Sequence, residues 1–237
     1  MPSNSNGNLP LYTLIVAGGT AARFGADKML SRLGDLPVFL HSVRAFLPVS
    51  TALVLVVPPG REDEFAATAR DHALLSEKMT LVPGGATRTD SMRHGLQALP
   101  ADANGLVAIH DAARPLATAD LLLALAELAA QIGGAAPAKP VSDTLLRSDC
   151  QDLVIDAIPR DSLWTVETPQ VFQLPALREA CDALQGQSFT DDTQLFLRHG
   201  GHVRLLHNPV PNPKLTYLQD LDYAAFLLSR SKDVSHA

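Results

Sequence analysis

The sequence predicts an α/β protein, a Rossmann-like three-layer α/β/α arrangement around a mainly parallel sheet with a protruding β-arm, and three observations carry that prediction. Continuous apolar, β-branched runs at 11–16 and 52–57 end in glycine or proline, as strands covered on both faces do. Segments with helical spacing fall between successive runs, which implies βαβ units with right-handed crossovers. The first run leads into Val16-Ala17-Gly18-Gly19-Thr20-Ala21-Ala22-Arg23-Phe24-Gly25-Ala26-Asp27-Lys28, where backbone without side chains and two cations make a phosphate cradle.

The elements follow in order. After the loop, 37–47 has helical spacing with Pro37 in its first turn. The apolar run 52–57 precedes Pro58-Pro59-Gly60 and reads as a strand. A helix is predicted at 62–72, a strand at 79–82, a helix at 87–98 and a strand at 105–109; the alternation continues with a helix at 119–131 and a strand at 134–138. Between 139 and 170 the pattern changes. Pro140, Asp143, Asp149, Asp152, Pro159 and Asp161 punctuate short β-prone pieces at 144–146 and 154–158. These read as an extended hairpin leaving the main layer, which needs a partner surface because an isolated hairpin is marginal in water. Helices at 177–184 and 191–198, a strand at 202–207 and a helix at 218–228 complete the chain. Residues 11–229 thus read as a single domain, with flexible tails at 1–10 and 230–237.

Composition narrows the functional classes. With 46% hydrophobic and 19% charged residues in 237, the chain reads as a soluble globular protein. A net charge of −6 argues against nucleic acid as a partner, because phosphate-backbone binding needs a basic face. Residues 1–10 resemble neither a secretory signal nor a transit peptide. The longest apolar stretch, 121–132, carries Glu127 and Gln131 and is too short to span a bilayer, so no membrane partner is expected. Cys150 and Cys181 form no disulfide framework and lack metal-ligand spacing, so a reducing cytoplasm is the simplest location.

The glycine loop is neither Gly-x-x-x-x-Gly-Lys-Ser/Thr nor Gly-x-Gly-x-x-Gly, which disfavours kinase-type and dinucleotide sites. Ligands of open α/β sheets sit at the carboxyl ends of strands, and polar groups gather there. Pro83-Gly84-Gly85-Ala86-Thr87-Arg88-Thr89-Asp90-Ser91 opens a helix, His110-Asp111-Ala112-Ala113-Arg114-Pro115 ends a strand, and Lys214 precedes the last helix. One acid and several cations suit a polyphosphate with a divalent metal. Taken singly, Gly84-Gly85 also reads as a plain turn, Asp111 as a helix cap or a partner of Arg114, and Lys214 as a surface lysine. His110 and Cys181 read as structural.

With Asp143-Thr144, Arg160, Leu163-Trp164, Thr168-Pro169-Gln170, Thr190-Asp191-Asp192 and Lys214-Leu215-Thr216 in the same order, the chain resembles the 2-C-methyl-D-erythritol 4-phosphate cytidylyltransferase family from Leu11 to Leu228. The resemblance implies transfer of CMP from CTP to a phosphorylated polyol, with Mg2+ as cofactor. It implies Arg23, Lys28, Arg160 and Lys214 as the catalytic cations. Ala17, Gly18, Gly19, Thr20, Gly84, Gly85, Arg88, Ser91 and Ala112 would bind the nucleotide. Asp111, Arg114, Thr144, Arg160, Thr168 and Thr190 would bind the substrate, with Asp111 also the candidate metal ligand. The arm would clasp a second subunit, giving a homodimer whose sites share Thr144 and Arg160.

This sequence departs from the family pattern at Asp27 and Met29, where proline and glutamine are common, and at Ala86, where an acidic residue is common. The shorter spacing between Arg23 and Lys28 resembles the molybdenum-cofactor nucleotidyltransferases. Ribitol 5-phosphate cytidylyltransferase, a molybdenum-cofactor nucleotidyltransferase and a non-catalytic nucleotide-binding protein stay open as alternatives.

Overall fold

A computed structural model describes residues 9–18, 24 and 27–234, with side chains described as far as residue 230. The loop positions Gly19, Thr20 and Arg23 lie outside the described residues. Strand β1 (Leu11–Val16) is the centre of the main sheet: it pairs in parallel with β4 (Ala52–Val57) on one side and β6 (Leu106–Asp111) on the other. Beyond β4 lies β5 (Met79–Pro83), also parallel.

On the far side, β6 pairs antiparallel with β11 (Gln170–Gln173), which pairs antiparallel with β7 (Gly134–Pro140). The outer edge of β7 carries β12 (Val203–His207) in parallel, and its inner edge also takes β10 (Trp164–Val166). Among the described residues these make an eight-stranded sheet, parallel except for β10 and β11.

Helices cover both faces because alternate residues of each buried strand point to opposite sides. On one face α1 (Val38–Phe46), α2 (Glu62–Asp71) and α4 (Ala119–Ile132) bury Phe39, Phe65 and Leu125 against Ile15, Leu55 and Ala108. On the other, α3 (Arg88–Gln97), α5 (Leu174–Ala183) and α6 (Asp192–Arg198) bury Met92, Leu177 and Phe196 against Leu14, Val56 and Phe172. A small hairpin, β2 (Arg32–Leu33) with β3 (Leu36–Pro37), packs through Leu33 into a satellite cluster with Phe24, Val38, Leu215 and Ala224, the last from α7 (Gln219–Val234). That helix runs past the predicted end at 228 and occupies part of the predicted tail at 230–237.

Two differences from the sequence reading matter for function. The segment leaving the main layer is shorter than 139–170, because β7 runs to Pro140 and β10 starts at Trp164, both within the main sheet. Outside the sheet stands the hairpin of β8 (Leu145–Ser148) and β9 (Val154–Ile158). The second difference is β11 itself. Its antiparallel course brings residues just before it, Glu167 and Thr168, to the end of the sheet where β6 delivers Asp111.

A candidate active site at the strand ends

The glycine turns build one wall. Ala17 N–H donates to Val56 O at 2.7 Å and Gly84 N–H to Val57 O at 2.7 Å, which keeps the two turns tied to β4. Gly85 N–H donates to Ser91 Oγ at 3.0 Å, and Ser91 Oγ donates to Thr87 O at 2.9 Å. A Cβ on Gly18 would stand 3.7 Å from that hydroxyl and one on Gly84 3.0 Å, so both glycine faces look onto Ser91. The turn is held by a capping box at the start of α3: Asp90 N–H donates to Thr87 Oγ1 at 3.1 Å and Thr87 N–H to Asp90 Oδ2 at 3.2 Å. At Gly85 a Cβ would meet Asp90 Cβ at 2.3 Å, so the box requires glycine there. Ala112, fully buried, continues this wall and donates its N–H to Val16 O at 3.0 Å.

Asp111 is the electrostatic centre. Arg88 Nε lies 3.0 Å from its Oδ1 and Lys214 Nζ 2.5 Å from its Oδ2, while Arg88 Nη2 reaches Asp192 Oδ2 at 2.8 Å. Burial opposes ionisation of Asp111, but Arg88 and then Lys214 outweigh it and hold the carboxyl well below its ordinary range. Burial likewise works against the charge on Arg88, and Asp192 and Asp111 more than restore it. For Asp192 burial outweighs the pull of Arg88 and raises the carboxyl above its ordinary range. The permanently charged guanidinium 2.8 Å away is the partner that favours its ionised form.

Thr168 supports this centre from β11's side, its Oγ1 accepting from Asp111 N–H at 3.1 Å and lying 3.2 Å from His110 Nδ1. His110 is fully buried, with Nε2 3.0 Å from Ser42 Oγ and 3.2 Å from Arg114 O; burial drives its pKa down to about 3, so the ring is neutral and structural, as its sequence context suggested. Arg114 does not pair with Asp111. Its Nη1 donates to Asn212 O at 2.7 Å, its Nε is buried without a hydrogen-bond partner, and burial lowers its pKa. A buried cation with an unmet donor is a ready receptor for an anion.

Lys28 and Lys214 converge through a shared anchor. Lys28 Nζ donates to Leu215 O at 3.1 Å, and Leu215 is fully buried in the satellite cluster. Asp27, where the resemblance expects proline, pairs with Arg61 at 2.5 Å and accepts Leu30 N–H at 3.3 Å, so the lysine's turn is fastened electrostatically. Arg88, Asp111, Thr168, Lys214 and Lys28 therefore belong to one linked region. Thr190 is exposed at the approach to α6, where its hydroxyl donates to Gln194 Oε1 at 3.3 Å. Thr144 and Arg160 sit exposed on the arm; Arg160 Nη1 donates to Ser142 O, and no hydrogen bond or ion pair joins either to the strand-end residues among the described residues.

The sequence reading did not select Glu167, Gln170, Asp192 and Asn212. Glu167 is buried and accepts from Asn208 Nδ2 at 2.9 Å and Asn212 Nδ2 at 3.2 Å, and it pairs with Lys139 at 3.1 Å. Gln170 Nε2 donates to Asp191 Oδ2 at 2.6 Å, joining β11 to the N-terminus of α6. The available signal was the adjacency of Asp191 and Asp192: one carboxylate caps α6 through Thr193 N–H at 2.9 Å, leaving the second to face inward. Among the described residues no group of three or more His, Cys, Asp or Glu side chains could hold a metal. Asp111, the candidate metal ligand of the sequence, has both oxygens engaged, Oδ1 by Arg88 and Oδ2 by Lys214.

Glycine turns, a fixed carboxylate and cations at the carboxyl ends of a parallel sheet are the features of the class of proteins that bind a nucleotide phosphate and act on it. Residues 11–230 match the family described as IspD: 2-C-methyl-D-erythritol 4-phosphate cytidylyltransferase, and the chain belongs to that family. It is 38% identical over 221 residues to the protein of that name from Porphyromonas gingivalis, covering 92% of this chain and 97% of the relative. The one from Synechococcus sp. is 35% identical over 224 residues, covering 93% and 100%. Its fold superposes on the crystal structure of 2-C-methyl-D-erythritol 4-phosphate cytidylyltransferase from Thermus thermophilus with a TM-score of 0.73 at 27% identity, covering 93% of this chain and 98% of that one.

Proposed function

We propose that the chain transfers the cytidylyl group of CTP to 2-C-methyl-D-erythritol 4-phosphate, releasing pyrophosphate and forming 4-diphosphocytidyl-2-C-methyl-D-erythritol. The observation that carries this reading is the convergence of Lys28, Lys214, Asp111 and Arg88 beside the Gly84-Gly85 turn, in a chain of this family.

The acceptor is a phosphate monoester, already ionised near neutral pH, so no residue need remove a proton. One of its oxygens attacks the α-phosphorus of CTP in line, the bond to the bridging oxygen breaks, and pyrophosphate departs. Catalysis is then positioning and charge stabilisation. Lys28 and Arg23 hold the triphosphate, and Lys214 with Lys28 neutralises charge accumulating at the α-phosphorus. Ala17, Gly84, Gly85 and Ser91 line the cytosine, Gly18, Gly19, Thr20, Arg88 and Ala112 bind the nucleotide with them, and Arg88 also braces Asp111. Arg114, with its unmet Nε, serves the acceptor together with Thr168 and Thr190. Asp111 would be the carboxylate offered to Mg2+, which would supply charge neutralisation on the phosphate oxygens when bound.

The arm completes the reading. Leu146, Leu153, Val154 and Ile155 are 56%, 66%, 54% and 59% exposed on the hairpin, apolar surface that needs cover. A second copy supplies it, and each arm then brings Thr144 and Arg160 to its partner's acceptor phosphate. No helix of the described residues is long and apolar enough to cross a membrane, and the two free cysteines fit a reducing cytoplasm. The test is mass-spectrometric detection of the cytidine diphosphate ester after incubating the protein with Mg2+, CTP and 2-C-methyl-D-erythritol 4-phosphate. Absence of that product overturns the assignment.

A further inference from the structure

Arg88 and Lys214 are joined through carboxylates in a chain that starts at the first residue of α6. Asp192 is 2% exposed and opens α6, whose Leu195 and Phe196 are set in the core, so its carboxylate has little freedom to move. From there the contacts run Asp192 to Arg88 at 2.8 Å, Arg88 to Asp111 at 3.0 Å and Asp111 to Lys214 at 2.5 Å. Signs alternate along the chain, two carboxylates against two cations, and each inner member is shared between neighbours.

Arg88 is where this arrangement is exposed to failure. Its guanidinium donates Nε to Asp111 and sets Nη2 2.8 Å from Asp192 Oδ2 as an ion pair, while Nη1 and that Asp192 oxygen are both buried without a hydrogen-bond partner. A guanidinium prefers to grip one carboxylate with two parallel donors. Without the charge on Asp192 nothing opposes rotation of the fork onto Asp111, which would then engage Arg88 through both oxygens and loosen Lys214.

We infer that Asp192 is a positioning residue for Lys214: by holding one side of the Arg88 fork, it leaves an Asp111 oxygen to orient the lysine that serves the reacting phosphate. The inference rests on the function proposed above. Asp192 is one residue beyond its helix cap, and its ion pair is to Arg88 rather than to the lysine it serves.

The test is a double-mutant cycle in steady-state kinetics with CTP and 2-C-methyl-D-erythritol 4-phosphate, beginning with the wild-type protein. Asp192→Asn is expected to lower kcat about tenfold to a hundredfold with KM for CTP changed less than about threefold. Added to Lys214→Ala, the same substitution is expected to cost less than about twofold more, because the group it positions is gone. Costs that multiply independently, or an unchanged kcat in Asp192→Asn, overturn the inference in favour of a purely structural ion pair. Should Asp192→Asn fail to show a cooperative melt, Arg88→Lys, which keeps the charge but cannot span both carboxylates, is taken through the same cycle and read by kcat alone. A wild-type protein without turnover defeats the proposed function itself and this inference with it; active wild type with independent costs defeats the inference alone.

Discussion

Lys214 Nζ lies 2.5 Å from Asp111 Oδ2, so a lysine before the last helix and a carboxylate at the end of β6 meet across 103 residues of sequence. The lysine's neighbour Leu215 is buried while its own side chain is 45% exposed, an anchored stem with a solvent-facing charge. Lys214→Ala is therefore expected to reduce kcat by about a hundredfold to a thousandfold, as loss of one preorganised charge-stabilising group does, with a near-native melting temperature. A rate within threefold or so of wild type would remove Lys214 from the catalytic set.

Gly85 and Gly18 line the same wall but differ in what a methyl group would meet. Gly85→Ala drives a Cβ to 2.3 Å from Asp90 Cβ and breaks the capping box, whereas Gly18→Ala brings it only to 3.7 Å from Ser91 Oγ. The first variant is expected to lose about 1–3 kcal/mol of stability and to raise KM for CTP; the second is expected to keep wild-type stability. Chemical denaturation of both proteins makes the comparison, and equal stabilities would contradict the strained-turn account.

Stability should fall on the acid side. His110, ordinarily near 6.5, is held down to about 3, so across that window the unfolded chain binds a proton that the folded one refuses. Burial lowers His41 as well, and Asp111 adds a loss as pH falls below its ordinary 3.8. The melting temperature is expected to rise from about pH 4 to about pH 7, and His110→Gln to flatten that rise without abolishing it. Cys181 works at the other end: pushed from 9.0 up to about 11 by burial, it withdraws stability as pH climbs through that interval. An identical acid-side slope in His110→Gln would refute the assignment.

The arm carries a prediction about assembly. Replacing Leu153 and Ile155 with aspartate puts charge on exposed apolar surface without touching the core. Sedimentation is expected to show a dimer for the wild type and a monomer for this variant, with KM for the acceptor phosphate raised far more than KM for CTP. A wild-type monomer that turns over normally would contradict the shared-site reading.

Much of this molecule could be read from its sequence, for identifiable reasons. The run at 52–57 is fully apolar and bounded by breakers, and it forms β4 over the same residues. Strand β11 is hidden from such a reading because its four residues lie between Pro169 and Pro175, too short for periodicity to register. With it go Glu167 and the placement of Thr168, which depend on an antiparallel strand entering a parallel sheet. Asp111 stands out as the acid at a strand end, yet its partners are Arg88 and Lys214 rather than Arg114, since pairing across 103 residues is a property of the fold. Asp192 is legible only as half of an acidic pair at a helix start, and its burial against Arg88 needs the packing of α6.

The most direct measurement is pyrophosphate release with Mg2+ and CTP, comparing 2-C-methyl-D-erythritol 4-phosphate with ribitol 5-phosphate and then replacing CTP by GTP, ATP and UTP. The account predicts release with CTP and the methylerythritol phosphate and little with any other pair. Release only with ribitol 5-phosphate, or none at all with any pair, would contradict it.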